Sequence, residues 1–361
     1  SNLFFLLILL NQNAISKPIP PGSGEGDVPA NILILLDSSA SMKKKLISGD
    51  GIENPLDIVE DSDGNLIIGE GSLGFVKILT ASKTVDRTFA DNNRNFRGSA
   101  TDTCTLDGTN NSIVKKLNDL GLATNVSGVS GDVIYGADSG STNGKIVGIN
   151  TSGECVEVIT WAELGQFRPY AMEVRTIGGE DHLFASGKWW TGKSTKWASR
   201  FYTKNLTTGN ARTCGVNSGN LKGIIQKSTD LTVDNSGNYI YYINKGNIWG
   251  YDLTKTGNNY CPSNTGWDRK YIHGNTSTTH RKASSIEVSR DDDSIMYVAS
   301  HSKNVVQKVS LTGNTSLTSV TLAGRKKKAN NTADAGALDA NQVNFWKANA
   351  LFVTSTKVWV S

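Results

Sequence analysis

Histidine is scarce in this sequence, and the common catalytic signatures are missing. The chain of 361 residues has four histidines, His182, His273, His280 and His301, and none of them falls in a recognisable nucleophile or metal-binding motif. No G-x-S-x-G is present, and no G-x-G-x-x-G is followed by a helix pattern. The usual signatures of serine hydrolases and dinucleotide-binding enzymes are therefore absent, which leaves catalytic residues that converge from separate repeats as the route to an enzyme.

Excess charge and proline are also in short supply. The net charge is only +4, which does not by itself require a nucleic-acid partner, and the basic runs 43–45 and 325–328 are predicted to be solvated faces or loops. With 7 prolines and 37% hydrophobic residues, most of the chain can bury a core, while 37 glycines indicate many turns. This composition favours a turn-dense, all-β protein over a helix-rich one.

Long apolar runs are missing except at the start of the chain. Leu3–Leu10 is an unbroken apolar octet, much shorter than the roughly twenty residues that a transmembrane helix needs. An octet followed by the small residues Ala14 and Ser16 is typical of a secretory signal peptide, which we assign to residues 1–16; a buried N-terminal strand is the alternative. The signal predicts export to the periplasm, the cell surface or the medium. Residues 17–30 are predicted to be a linker.

The four cysteines fit an exported protein. They form no C-x-x-C pair and have no neighbouring histidine, which disfavours a zinc or haem site. Their even number favours disulfides. Three pairings are possible; we predict Cys104–Cys155 with Cys214–Cys261, between adjacent repeats, and unpaired buried thiols are the alternative.

A repeat emerges when segments of the chain are aligned. The phrase DIVEDSDGN at 57–65 matches DLTVDNSGN at 230–238 without a gap, and each is followed by an apolar strand. Weaker copies lie between and after them. The predicted turn positions recur at intervals of roughly 50 to 65 residues: Gly64, Gly131, Gly179, Gly237, Asp292 and Asn349.

Three or four antiparallel strands with tight Asp/Asn-Gly turns describe one blade of a β-propeller. A small sheet of this kind cannot bury both faces alone, and radial stacking of blades buries the faces between neighbours. We therefore predict a propeller of about six blades over residues 51–361, with a β-sandwich or β-helix as the alternative. The unit resembles the NHL and YVTN-like propeller repeats, in which a phrase ending D-x-x-G-N joins the first and second strands.

The stretch NILILLDSSASM, residues 31–42, places Asp37, Ser39 and Ser41 at alternate positions after a predicted buried strand. This D-x-S-x-S pattern resembles the start of the von Willebrand factor A family, where the motif follows the first strand of a doubly wound α/β domain. In that family the motif supplies ligands to a divalent cation, and carboxylate and hydroxyl oxygens suit Mg²⁺ or Ca²⁺. The resemblance implies a cation on these three residues and assigns residues 31–46 to the start of such a domain.

The body of an A domain is not evident after this start. Family members complete the metal site with a Thr and an Asp from later loops, but propeller-like sequence begins near Gly51. Either the propeller is inserted into the A domain, whose remaining strands would follow Ser361, or the A domain is reduced to a strand that packs on the propeller.

Two further motifs have a structural and a functional interpretation. Residues 61–65 (DSDGN) look like part of a calcium loop but lack the Glu at its twelfth position, so we interpret them as a hairpin turn. Trp189, Trp190 and Trp197 lie in GKWWTGKSTKW, where aromatic faces and lysines could form a sugar- or surface-binding loop. Packing between blades is the alternative for these tryptophans.

An exported chain that joins an A-domain start to a propeller resembles the bacterial type IV pilus tip adhesin and biogenesis proteins. The resemblance implies a cell-surface or pilus-associated binding protein that contacts a protein or glycan, without an enzymatic activity. An exported propeller enzyme, such as a lactonase- or lyase-like hydrolase with a channel active site, is the alternative. The two differ in one observation: an enzyme should converge several carboxylates or histidines at the channel, with a bound ion.

Overall fold

The computed structural model describes a large part of the predicted propeller region. Apart from short gaps, the described residues are 55–86, 114–190, 197–216, 228–253, 270–273, 283–311, 319–324 and 348–360, together with Phe89 and Tyr260. Every described element is a β-strand, and no helix in this part of the chain is long and apolar enough to span a membrane. The predicted all-β fold is confirmed.

The strands form five four-stranded sheets, which we call blades 1 to 5, and one two-stranded sheet, which we call the closing hairpin. Blade 1 contains β1 (Asp57–Glu60), β2 (Leu66–Gly69), β3 (Phe75–Leu79) and β4 (Thr84–Asp86). Blade 2 contains β5 (Leu117–Ala123), β6 (Val133–Asp138), β7 (Lys145–Asn150) and β8 (Cys155–Ile159). Blade 3 contains β9 (Phe167–Ile177), β10 (Glu180–Trp190), β11 (Trp197–Asn205) and β12 (Ala211–Val216). Blade 4 contains β13 (Ser228–Val233), β14 (Tyr239–Asn244), β15 (Asn247–Asp252) and β16 (Lys270–His273). Blade 5 contains β17 (Ala283–Val288), β18 (Ile295–Ser300), β19 (Val305–Ser310) and β20 (Ser319–Gly324), and the closing hairpin contains β21 (Leu351–Val353) and β22 (Val358–Val360).

The first strands of the sheets form a ring around a central channel. In every blade, the four strands pair antiparallel in chain order. The innermost strands then meet in sequence, β1 with β5, β5 with β9, β9 with β13 and β13 with β17, while β21 contacts both β17 and β1. The closing hairpin thus occupies the sixth position of the ring, which is consistent with a propeller of about six blades.

The hydrophobic core is divided among the spaces between blades. One cluster of buried apolar side chains joins blades 2 and 3, a second joins blades 3 and 4, and a third joins blades 4 and 5. Two further clusters connect the closing hairpin to blade 5 and to blades 1 and 2. Gly136 shows how tight this packing is, since a Cβ there would lie 2.6 Å from Phe75 of blade 1. Each sheet therefore gains its stability from its neighbours, as a radial repeat requires.

The same irregularity recurs in the innermost strand of four blades. One residue of the strand has no partner on the second strand and forms a β-bulge. The residue that follows the bulge is the first one whose side chain faces the channel. The bulged residues are Asn118, Tyr170, Thr229 and Ser284. Two of their side chains reach the following sheet: Asn118 Nδ2 donates to Pro169 O at 3.3 Å, and Ser284 Oγ donates to Ala348 O at 2.5 Å.

The ring is closed by Glu60 at the end of β1. Trp359 Nε1 of the closing hairpin donates to Glu60 Oε2 at 2.6 Å, and Lys357 Nζ forms an ion pair with the same carboxylate. Both Glu60 and Trp359 are buried. This contact joins residues about 300 positions apart, so it holds the last described sheet against the first.

Loss of the Glu60 carboxylate should weaken ring closure. We expect Glu60→Ala to lower the free energy of unfolding by about 2 kcal/mol, because the buried indole N–H of Trp359 would lose its acceptor. Urea denaturation of the wild type, Glu60→Ala, Trp359→Phe and the double variant gives the coupling energy between the two side chains. Additive effects of the two substitutions would show that the contact does not stabilise the ring.

Most predicted turns are confirmed, and one is wrong. Gly64, Gly131, Gly179 and Gly237 lie between the first and second strands of their blades with positive φ angles, and Asp292 lies in the equivalent turn of blade 5. The sixth turn is not at Asn349. It lies at 354–357, where Thr354 N donates to Lys357 O at 2.9 Å, because the apolar triplet before it forms the strand. Residues 1–46, with the predicted signal peptide, linker and A-domain start, lie outside the described residues.

Candidate functional site

The innermost strands place acidic side chains on the channel. Because alternate residues of a strand point to the same side, the first channel-facing position falls on Asp57, Asp119 and Asp230 in blades 1, 2 and 4, and on Ser285 in blade 5. The bulge directly before this position in blades 2, 4 and 5 sets the direction in which its side chain points.

Each of these side chains accepts a hydrogen bond from a backbone N–H of the next sheet in the ring. The bonds join Leu120 N to Asp57 Oδ2 (2.7 Å), Met172 N to Asp119 Oδ2 (2.7 Å), Ile286 N to Asp230 Oδ2 (2.8 Å) and Leu351 N to Ser285 Oγ (2.9 Å). These four hydrogen bonds therefore link blade 1 to blade 2, blade 2 to blade 3, blade 4 to blade 5, and blade 5 to the closing hairpin.

Two positions further along β9 and β17, the channel holds Glu173 and Glu287, next to Arg175 of β9 and to Arg290, which follows β17. Arg290 Nη2 lies 3.1 Å from Glu173 Oε1 and 2.9 Å from Glu287 Oε1. Arg175 Nη2 lies 3.3 Å from the same Glu287 oxygen. Arg175, Glu173 and Glu287 are buried, whereas the Arg290 side chain keeps 24% of its exposure. Two acidic and two basic side chains thus fill this level of the channel.

The two arginines also cross the channel through backbone contacts. Arg290 donates to Val174 O of blade 3 at 3.1 Å and to Val353 O of the closing hairpin at 3.3 Å. Arg175 donates to Thr232 Oγ1 of blade 4 at 3.0 Å and to Val288 O of blade 5 at 3.3 Å. Together they connect blades 3, 4 and 5 and the closing hairpin.

Burial in the channel raises the pKa of several carboxyl groups. The pKa of Asp57 rises to about 6, chiefly because its carboxyl is removed from water. Burial also raises the pKa of Asp119 and Asp230 well above the usual range, and the neighbouring charge of Asp57 adds to both effects. The pKa of Glu287 is raised well above its usual range by burial and by the adjacent Glu173. These acids therefore keep protons at pH values where exposed carboxyls have lost them.

A small cavity lies between the two levels of the channel. Its walls include Asp57, Asp119, Glu173, Asp230 and Glu287. The volume of this cavity is about 20 Å³, and about 10 to 15 Å³ is enough for one water molecule. The cavity can hold one water molecule, which could exchange a proton with the surrounding carboxyl groups. An organic substrate would need a much larger space.

A second ring of aspartates holds the turns between the first and second strands. Each of these carboxylates lies at the start of a second strand and accepts hydrogen bonds from the turn of the preceding blade. The bonds run from Ser62 N to Asp132 (2.6 Å), from Thr124 N and Asn125 N to Asp181 (2.6 and 2.8 Å), and from Asn235 N and Ser236 N to Asp293 (2.7 and 3.2 Å). The D-x-x-G-N turns thus have a structural role as docking points between blades.

The hairpin interpretation of residues 61–65 is supported by its own hydrogen bonds. Asp61 Oδ1 accepts from Asn65 N at 2.7 Å, and Asp234 Oδ1 accepts from Asn238 N at 2.7 Å in the matching turn of blade 4. Carboxylates that bind the backbone of their own turn are typical of Asx turns.

The predicted tryptophans lie on the longest strands of the propeller. The strands β9 and β10 have 11 residues each and β11 has 9, whereas the other described strands have 3 to 7. Trp189 and Trp190 end β10, Trp197 begins β11, and the register pairs Trp190 directly with Trp197. The structure therefore places the three residues in one extended hairpin of blade 3 and not in a loop. We call residues 187–200 the blade 3 extension.

The predicted A-domain metal ligands Asp37, Ser39 and Ser41 lie outside the described residues, so a divalent cation on them stays a prediction. Within the part of the chain that the structure describes, no group of three or more His, Cys, Asp or Glu side chains is arranged to hold a metal ion. Cys155 and Cys214 are disulfide-bonded. Their predicted partners are not among the described residues, and the pairing stays a prediction.

The channel acids were not predicted as site residues, although part of the signal was visible. Asp57 and Asp230 open the two matched phrases of the repeat, and Asp119 precedes a similar apolar run. Glu173 and Glu287 lie two residues beyond that position in blades 3 and 5. A polar residue that recurs at the first position of an otherwise apolar inner strand is the feature that points to the channel.

Comparisons with known proteins give the fold only. No protein-family model matches the chain, and no curated protein matches it. A structural genomics protein of unknown function from Bacteroides thetaiotaomicron is similar over 90% of this chain and 71% of its own, with 12% identity and a TM-score of 0.53. A putative oxidoreductase (glucose dehydrogenase) from Thermus thermophilus matches over 86% and 90% of the two chains, with 12% identity and a TM-score of 0.49. A chain of a nidogen/laminin complex matches over 74% and 81%, with 10% identity and a TM-score of 0.44.

Proposed function

We propose that this protein is an exported binding module that uses its propeller as a scaffold and contacts its partner through the blade 3 extension. The proposed location is the cell surface, with a pilus-associated role as the more specific version. The partner that the extension suits best is a glycan that carries acidic groups. A protein partner is the alternative.

The observation that carries this proposal is the length of the hairpin. In blades 4 and 5 the second strand ends opposite the residue just before the bulge, at Asn244 and Ser300. In blade 3 the corresponding residue is Gly187, and β10 continues through Lys188, Trp189 and Trp190. Three further residues at about 3.3 Å each add roughly 10 Å of strand. The blade 3 extension therefore projects beyond the equivalent edge of its neighbours.

The composition of the extension supports an acidic, sugar-like partner. Residues 187–197 contain three tryptophans and three lysines and no acidic residue. At the base of the extension, Lys188 Nζ lies 5.1 Å from the centre of the Tyr170 ring, so a lysine ammonium group is stacked on an aromatic ring there. Aromatic faces provide a stacking surface and lysines attract negative charge. The same combination would suit an acidic polysaccharide or a sulfated glycan.

Affinity chromatography on heparin, with dextran as the neutral glycan, tests this proposal. We expect the wild type to be retained on heparin, and Trp190→Ala/Trp197→Ala to elute at clearly lower salt. Truncation of a tryptophan at the centre of an interface costs about 2 kcal/mol or more, which is roughly 30-fold in affinity. Because the double variant keeps every lysine, a difference in elution reports the aromatic contribution and not the net charge.

The control variant is Val320→Ser, which changes an apolar residue with 65% exposure on the outer strand of blade 5. It should elute with the wild type. Elution of the double tryptophan variant at the same salt concentration as the wild type would contradict the proposal, and so would failure of the wild type to bind either matrix.

A propeller enzyme remains the second candidate because five carboxyl groups do converge on the channel. That convergence is the feature expected of a lactonase- or lyase-like hydrolase. The size of the cavity, about 20 Å³, favours the scaffold instead. Hydrolysis of a panel of lactones by the wild type, with loss of the activity in Asp119→Asn, would support the enzyme.

A further inference from the structure

The channel carboxyl groups lie close together in two pairs, and each pair shares one donor. Leu120 N donates to Asp57 Oδ2 at 2.7 Å and to Asp119 Oδ1 at 3.1 Å. Arg290 Nη2 lies 3.1 Å from Glu173 Oε1 and 2.9 Å from Glu287 Oε1. Two ionised carboxylates placed so close together repel each other, so a proton on one member stabilises the pair. Each pair joins two different blades.

The balance of charge around the channel also favours protonation of these acids. The groups that face it from the described inner strands and the loop after β17 are five acids and two bases: Asp57, Asp119, Glu173, Asp230, Glu287, Arg175 and Arg290. Asp181 and Asp234 lie further away and act on the two arginines. The closing hairpin adds only apolar side chains, Leu351 and Phe352. If all five acids were ionised, this buried set would carry three uncompensated negative charges, which is costly away from water.

We propose that the channel acids form a proton-held latch, which keeps the blades together at acidic pH and loosens the ring when these acids lose their protons. The inference concerns the ring itself and does not depend on what the blade 3 extension binds. The carboxylates of Asp57, Asp119 and Asp230 would still accept from the amides of the next blade after ionisation, but they would repel one another across the channel.

The direction of the pH effect follows from the raised pKa values. The pKa of Asp57 is about 6 in the folded ring and returns to about 3.9 when the group is exposed. The closed ring therefore binds more protons than the open ring between these values. Its extra stability is fully present below about pH 4 and is lost as the pH rises through about 6. Asp119 and Asp230, with pKa values also raised well above the usual range, extend the loss to higher pH.

Hydrogen exchange of the amides that bind these carboxylates is the direct test. The N–H groups of Leu120, Met172 and Ile286 should exchange only when the ring opens. After correction for the intrinsic exchange rate, we expect their protection factors to be at least about tenfold lower at pH 8 than at pH 5, the effect of Asp57 alone. Protection factors that are equal at the two pH values would overturn the proposal.

The variant Asp57→Asn/Asp119→Asn separates the latch from general effects of pH. Asparagine keeps an oxygen that accepts from the next blade but carries no charge at either pH. We expect the pH dependence of Leu120 and Met172 protection to shrink clearly, and the part that remains to come from Asp230 and Glu287, whose pKa values burial also raises. Asp293→Asn is the matched control, because Asp293 also accepts from the backbone of a neighbouring blade but lies outside the channel. It should retain the wild-type pH dependence. An unchanged pH dependence of protection in the double variant would reject the latch. If the double variant does not fold, the single variant Asp119→Asn is used for the same measurement.

Discussion

Replacement of Arg175 by methionine is expected to lower the free energy of unfolding by about 3–5 kcal/mol. The substitution keeps much of the side-chain volume but leaves Glu287 and Glu173 with Arg290 as their only guanidinium partner. Removal of one partner from a buried charge network costs about this amount because the remaining charge stays away from water. Methionine would also remove the Arg175 donor of the Val288 carbonyl and one of the two donors of Thr232 Oγ1, which would keep Val288 N. Urea denaturation at pH 7 measures the effect.

Two comparisons show whether the charge is responsible. Arg212→Met, at an exposed position of β12, should change the free energy of unfolding by less than about 0.5 kcal/mol. Arg175→Met/Glu287→Gln should be more stable than Arg175→Met alone, since the second substitution removes one of the two acids that Arg290 would otherwise have to compensate. If the double variant is the less stable of the two, the loss is due to packing and not to the charge.

Gly187→Ala is expected to cost about 3 kcal/mol, at the upper end of the range for overpacking. A Cβ at this position would lie 1.8 Å from the carbonyl oxygen of Arg168 and 2.9 Å from the Phe167 ring. The oxygen belongs to the backbone of the paired strand and cannot move without breaking the register of β9 and β10. Because Gly187 lies directly before Lys188, the same variant should displace the blade 3 extension and weaken retention on heparin.

Gly69→Ala is the matched control for this variant. Gly69 also lies at the end of a second strand, but a Cβ there would meet only the side chain of Leu120 at 3.5 Å, an ordinary contact. We expect its thermal midpoint to stay within a few degrees of the wild type, with unchanged retention on heparin. Equal losses in the two variants would show that the bulge in blade 3 has no special packing requirement.

Much of the fold could be predicted from the sequence because local features determine its repeating unit. The D-x-x-G-N phrases fix a tight turn through the hydrogen bonds of Asp61 and Asp234 to their own backbone, and apolar alternation marks the strands around them. The turn of the closing hairpin was misplaced because it contains neither Gly nor Asp and lies among Thr, Ser and Lys. No turn-forming residue pattern marks this segment, and its contacts with blades 1 and 5 determine where the turn lies.

The channel could not be predicted in the same way, because its chemistry depends on which residues meet after the ring closes. Asp57 and Glu287 are separated by about 230 residues and approach only because five sheets pack in order around the axis. A single aspartate at the start of an inner strand has the sequence pattern of a surface residue. The tryptophans of the blade 3 extension were visible as a cluster, but the additional paired residues that carry them became apparent only from the strand register.

The contact between Glu60 and Trp359 has a consequence for biosynthesis. A ribosome that adds about 5–20 residues per second needs roughly 15–60 s to pass from the first residue to the second. During that interval blade 1 lacks the neighbour that covers one of its faces, and the acids of the nascent channel are in contact with water. They are then ionised at neutral pH, so the final docking step must take up protons from the solvent. Closure of the ring should therefore be more favourable at acidic pH than at neutral pH.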